Sequence, residues 1–166
     1  MKNIILGLIT ALFLIGCSSD KAVEVNAEPS LVVGKTLNID LNDQNEKAHT
    51  LHGNTTKVIF VFSDDMGHTA NDYLATKEAT YLSQNNAQFV ADISGAPSLI
   101  RSMFIMPGLK DFKHTVMLLT DKKVSAPFRA GIDTEKMVVV YVDNGSITEI
   151  KSISTQEELI ATIEAK

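Results

Sequence analysis

Lys57-Val58-Ile59-Phe60-Val61-Phe62-Ser63-Asp64-Asp65-Met66-Gly67-His68 decides the fold. Val58 to Phe62 is continuously apolar and rich in β-branched and aromatic side chains. A strand covered on both faces reads this way. Asp64 or Asp65 can cap the helix that follows, and Ala70, Tyr73, Leu74, Tyr81 and Leu82 are spaced for its buried stripe. Asn85-Asn86 breaks that helix. Ala87 to Ile93 reads as a second strand. Ser94-Gly95-Ala96-Pro97 opens a second helix with Pro97 in its first turn. Leu99, Ile100, Met103 and Phe104 form its expected apolar face, and Pro107-Gly108 ends it.

This β-α-β-α order implies parallel strands with right-handed crossovers. Upstream, Leu37-Asn38-Ile39-Asp40-Leu41 alternates as a half-buried strand does. Downstream the character changes. Val116 to Leu119 is a buried strand, Asp121-Lys122-Lys123 turns the chain, and Val124 to Phe128 is expected to pair back. Val138 to Val142 and Ile147 to Ile150 flank Asn144-Gly145, a strong hairpin signal. Thr155-Gln156-Glu157-Glu158 is a capping box, and Leu159, Ile160 and Ile163 give the last helix its buried stripe.

A β-α-β-α half followed by antiparallel strands and a closing helix is the thioredoxin-like order. Val33 to Leu41 resembles the lead-in of envelope thioredoxin-like and peroxiredoxin-like proteins, and Lys57 to His68 resembles their first central strand running into the active-site helix. The resemblance implies a three-layer α/β sandwich, a central mixed sheet flanked by helices. It does not carry the activity. Where thioredoxins have Cys-Gly-Pro-Cys, this chain reads Met66-Gly67-His68-Thr69. Where the family has its cis-proline, it reads Lys113-His114-Thr115-Val116, with His114 at or near the proline position. Thiol-disulfide exchange needs a thiolate attacking a sulfur. Neither slot supplies one, so oxidoreductase and thiol peroxidase activities are expected to be absent.

The one cysteine, Cys17, closes Leu14-Ile15-Gly16-Cys17 after a greasy segment headed by Lys2. That run resembles the lipobox of bacterial lipoproteins, whose cysteine is lipidated. As a helix, Ile4 to Gly16 spans ~20 Å, short of a ~30 Å hydrocarbon core, so it reads as a signal segment. The expected organisation is a signal peptide over 1–16, a lipidated flexible tether over 17–32, and one domain over 33–166. The resemblance implies a lipid-anchored protein of the bacterial envelope. In a cell with two membranes, Ser18 favours the outer one, facing the periplasm.

The chain carries a net charge of −5, with no basic block beyond Lys122-Lys123. That excludes a nucleic-acid partner. Absence of Trp speaks against a stacking platform. In an open α/β sheet, ligands sit beyond the carboxyl ends of the parallel strands. The candidate edge is therefore Ser63, Asp64, Asp65, Met66, Gly67 and His68 after one strand, Asp92 and Ser94 after the next, with His114 close by. Arg101 is placed to pair with Asp92 or to bind an anion. Met103, Phe104 and Met106 read as core or helix lip. His49 and His52 read as a solvated loop, since no cysteine partners their spacing.

These features leave three readings. The first is a binding module for an envelope protein partner. The second is a non-thiol enzyme using His68, Asp92 and His114. The third is a carrier of a small ligand, a metal or a flavin. No ligand motif or dinucleotide fingerprint calls for a metal or cofactor.

Overall fold

The computed structural model describes residues 27–165. The expected signal peptide, Cys17 and most of the tether lie outside the described residues.

The order is β1 (Asp40–Asn42), β2 (Ala48–Thr50), β3 (Lys57–Val61), α1 (Asp64–Leu74), α2 (Tyr81–Gln84) and β4 (Ala87–Asp92). A compound helix follows, made of α3 (Ser98–Ile100), a π-helical turn (Arg101–Ile105) and α4 (Met106–Lys110). Then come β5 (Met117–Leu119), α5 (Lys122–Arg129), β6 (Met137–Asp143), β7 (Ser146–Ile153) and α6 (Gln156–Glu164). The main sheet runs β5-β4-β3-β6-β7. β3, β4 and β5 are parallel, whereas β6 and β7 are antiparallel.

β3 sits in the middle, and each of its side chains is buried. Its alternation splits them between two cores. Val58 and Phe60, with Phe62 just beyond the strand, face Leu31, Leu37, Ile39, Leu41 and Phe128 on one side. Ile59 and Val61 face Ala70, Leu74, Leu159 and Ile163 on the other. This two-sided cover is why the run shows no polar alternation. The upstream segment keeps its alternation in burial, although the formal strand is only three residues long. Its chain crosses the first face as a strap.

The packed chain also starts ahead of residue 33. Leu31 is 5% exposed, and the Ser30 N–H donates to the Pro127 carbonyl at 2.9 Å. The apolar side chain of Leu31 outweighs the polar composition around it.

Asn144 and Gly145 both adopt positive φ, 47° and 80°, and join β6 to β7 as the hairpin signal requires. The Thr155–Glu158 capping box is formed at the start of α6. The other end of α6 is closed from the sheet. The buried Lys57 ammonium donates to the carbonyls of Thr162 at 3.2 Å, Ile163 at 3.1 Å and Ala165 at 2.7 Å.

Four further expectations fail. Ser63, not Asp64 or Asp65, caps α1, because extended backbone at Ser63 aims its hydroxyl at the Met66 N–H. The aspartates fill the first turn, where their charge suits the helix dipole. The helix does not continue to Leu82: it stops at Leu74, whose carbonyl is taken by His114 Nε2 at 2.7 Å. Val124 to Phe128 does not pair back. Asp121 Oδ1 accepts the N–H groups of Lys123 and Val124 at 2.7 and 3.2 Å and starts α5 instead. A local cap here overrides β-propensity.

The fourth failure shapes the site. The compound helix continues through Pro107-Gly108 to Lys110, and Pro97 caps it rather than entering its first turn. Pro107 falls in the first turn of α4, just after the wider π turn. The sheet-facing side is Met106, Leu109 and Phe112. Leu99, Ile100, Met103 and Phe104 turn outward, at 64%, 42%, 59% and 66% exposure.

Candidate functional site

Because β3, β4 and β5 are parallel, their carboxyl ends share one edge. There α1, the compound helix and α5 diverge and enclose a cavity of about 820 Å³. Val61, Phe89, Ala91 and Val116 make its floor. Ile105, Leu109 and Phe112 form one wall, α1 forms another through Gly67, His68 and Asn71, and α5 the third through Lys122, Ala126 and Arg129.

Six expected edge residues line this cavity: Ser63, Asp64, Gly67, His68, Asp92 and Ser94. The other four do not. Asp65 is exposed on the first turn of α1, and Met66 packs against the second core. Arg101 reaches the Thr120 carbonyl through Nη1 instead of Asp92.

His114 is at the opposite end of the sheet. It precedes β5, a strand parallel to β4, so it stands at the amino ends. It is 1% exposed, contacts the last residue of α1, and is held by Gln44, which donates to the His114 carbonyl at 2.6 Å and accepts the Val116 N–H at 2.9 Å. The 11 residues of α1 put roughly 16 Å of helix between it and the cavity mouth. The proposed trio of His68, Asp92 and His114 is therefore not assembled. His52 is exposed in a loop, as expected, but His49 is not. His49 is in β2 and its Nε2 meets Asp43 Oδ2 at 2.8 Å, so it is structural rather than solvated. Among the described residues no group of three or more His, Cys, Asp or Glu is placed to hold a metal.

The partner of Asp92 is Arg129. The Asp92 side chain is fully buried. Its Oδ1 accepts the Ser94 N–H at 2.8 Å, and its Oδ2 accepts Arg129 Nη1 at 2.8 Å and the Ser125 hydroxyl. Burial opposes ionisation, but hydrogen bonds from Ser125, Ser94 and Arg129 outweigh it and hold the carboxyl below its ordinary range. All its acceptor capacity points at protein, which makes it a pin between β4 and α5 and not a base. Arg129 is different. Its side chain is 40% exposed, and Nη1 also approaches the Phe62 carbonyl at 3.4 Å, while its guanidinium lies 5.6 Å from the Phe62 ring centre. Nη2 and Nε take no partner among the described residues. The sequence offers no local hint of the pair, since 37 positions separate its members.

At the mouth, His68 Nε2 lies 3.6 Å from Asp64 Oδ2, with both side chains largely exposed. Such an i,i+4 contact is a weak surface pair. The arrangement thus offers a largely apolar cavity with cationic donors on one wall.

No protein-family model matches the chain, and no curated protein matches it in sequence. Solved structures do match. One is the thioredoxin domain of a thiol-disulfide oxidoreductase from Bacteroides vulgatus, 15% identical, with TM-score 0.54, covering 81% of this chain and 97% of that one. Another is reduced Prx3 from Vibrio vulnificus, 14% identical with TM-score 0.52, covering 81% and 99%. A third is the pneumococcal exposed lipoprotein thioredoxin from Streptococcus pneumoniae, 13% identical with TM-score 0.51, covering 76% and 98%. The chain has the thioredoxin-like fold, a central mixed sheet between helical layers.

Proposed function

We propose that this thioredoxin-like domain is a membrane-tethered binding module of the bacterial envelope that works without thiol chemistry. One observation carries the reading: the mouth of the cavity at the start of α1 presents Ser63, Asp64, Gly67 and His68, and no sulfur nucleophile. The only cysteine belongs to the lipobox-like run at Leu14 to Cys17. A fold neighbour described as an exposed lipoprotein thioredoxin is in keeping with such an anchor. Two or three lipid chains on Cys17 would make that attachment stable where one would not. The protein then presents its strand-end cavity to an envelope partner or ligand, facing the periplasm from the outer membrane in a two-membrane cell.

Two measurements test this. The full-length protein should reduce insulin no faster than the buffer blank, and turnover above the blank refutes the redox-inactive reading. Cys17→Ser should leave the membrane fraction or remain unprocessed, and unchanged mass and fractionation refute the anchor.

A further inference from the structure

Three glycines line the cavity without any backbone reason to be glycine. Gly34, Gly131 and Gly145 have positive φ, which L side chains avoid. Gly67, Gly95 and Gly108 do not, yet each lines the cavity, and a Cβ built on any of them meets nothing within 4 Å. Gly67 is inside α1 and Gly108 inside α4, where glycine is less favourable than alanine. Two helical glycines thus border one empty volume.

The volume of about 820 Å³ is within the range of small-molecule sites, ~300–1,000 Å³. Its floor and one wall are aliphatic and aromatic. The exposed Phe104 stands at its rim and extends the apolar path outward toward Leu99 and Met103. The Lys and Arg side chains of the lining are confined to α5, while Asp64 places a carboxylate at the mouth. Asp92 pairs with Arg129 there, Lys122 stands on the same wall away from Asp92, and Nη2 and Nε of Arg129 remain free to donate. Lys122 makes no ion pair among the described residues.

Building on the binding-module reading, we propose that the cavity binds a single-chain carboxylic acid. Its aliphatic tail lies along Phe89, Ala91, Leu109 and Phe112, and its carboxylate meets Arg129 and Lys122. An Arg fork suits a carboxylate in a way that it does not suit an alcohol.

The test uses the full-length protein in lipid vesicles with palmitic acid carrying a diazirine in its chain, crosslinked by light and mapped by mass spectrometry. The expected label falls on the buried floor, at Val61, Phe89 or Ala91. It should fall about tenfold with the matching alcohol and in Lys122→Gln or Arg129→Gln, the worth of one charge-assisted hydrogen bond. Gly67→Leu, which fills the cavity without backbone strain, should abolish it while circular dichroism and melting stay unimpaired. Equal labelling by acid and alcohol overturns the carboxylate assignment. Label confined to Leu99, Met103 and Phe104 overturns the cavity, since the ridge would then only be touching lipid. No label on residues 27–165 overturns the proposal, and with insulin still unreduced it leaves the binding module itself standing.

Discussion

Phe60 and Phe62 point to the same face of β3, two residues apart, and truncating each should have a different cost. Phe60 is fully buried, and its ring stacks on Phe62 at 5.9 Å and on Phe128 at 5.7 Å, closing one core from both sides. Phe60→Ala removes the ring and leaves a sealed void that rigid β-sheet neighbours cannot fill. Burial lost plus cavity formed predicts a loss of ~3–5 kcal/mol. A typical domain has ~5–15 kcal/mol in total, so this variant sits near its folding limit. Phe62 is at the strand end, 6% exposed, and borders the existing cavity. Phe62→Ala therefore widens an open space rather than making a closed one, and should cost less, ~2–3 kcal/mol. Urea unfolding of both variants, read by circular dichroism with unchanged m-values, gives the comparison. A loss below about 1 kcal/mol for Phe60→Ala, or a larger loss at Phe62 than at Phe60, would show that the two-core assignment of β3 is wrong.

Because the folded carboxyl of Asp92 titrates below its unfolded value, its contribution is present above the unfolded pKa near 3.8 and is lost as pH falls through the folded pKa. Asp92→Asn should destabilise the protein at neutral pH, and acid melts of the two proteins should converge below pH ~4. A constant gap down to pH ~2 would place the effect elsewhere. Lys57→Met strips three carbonyls at the end of α6 of their donor and should cost ~1–3 kcal/mol, with faster amide exchange confined to the last turn of that helix. Uniform exchange changes across the domain would contradict a local role.

The fold was legible where a residue's environment depends on its immediate neighbours. β3 announced two-sided burial by five consecutive apolar residues, Asn144-Gly145 announced its turn, and Thr155 with Glu158 announced a helix start. The failures share a different cause. The spacing of Leu99, Ile100, Met103 and Phe104 fixes that they share a stripe, but not whether that stripe meets the sheet. A π turn and the competing stripe of Met106, Leu109 and Phe112 decided it. Val124 to Phe128 has strand-like composition, and one aspartate three residues ahead of Val124 outweighed it. The site was half legible. The parallel-strand rule found Ser63, Asp64, Gly67, His68, Asp92 and Ser94. Arg129 and the misplacement of His114 depend on strand order and on which helix closes over which end, and these are not local properties.

The strap ahead of β1 gives the domain a direction in which it can be pulled. Ser30 is bonded to Pro127, and Pro29 packs beside Gly131, so the first described residues are fixed on α5 and just beyond it. Tension arriving from the N-terminal side is delivered there, two residues from Arg129, before it reaches the central sheet. Stretching the attachment would deform the cationic wall of the cavity first and spare the strands. If the proposed lipid anchor and ligand are both present, occupancy of the cavity and load on the anchor act on the same short helix.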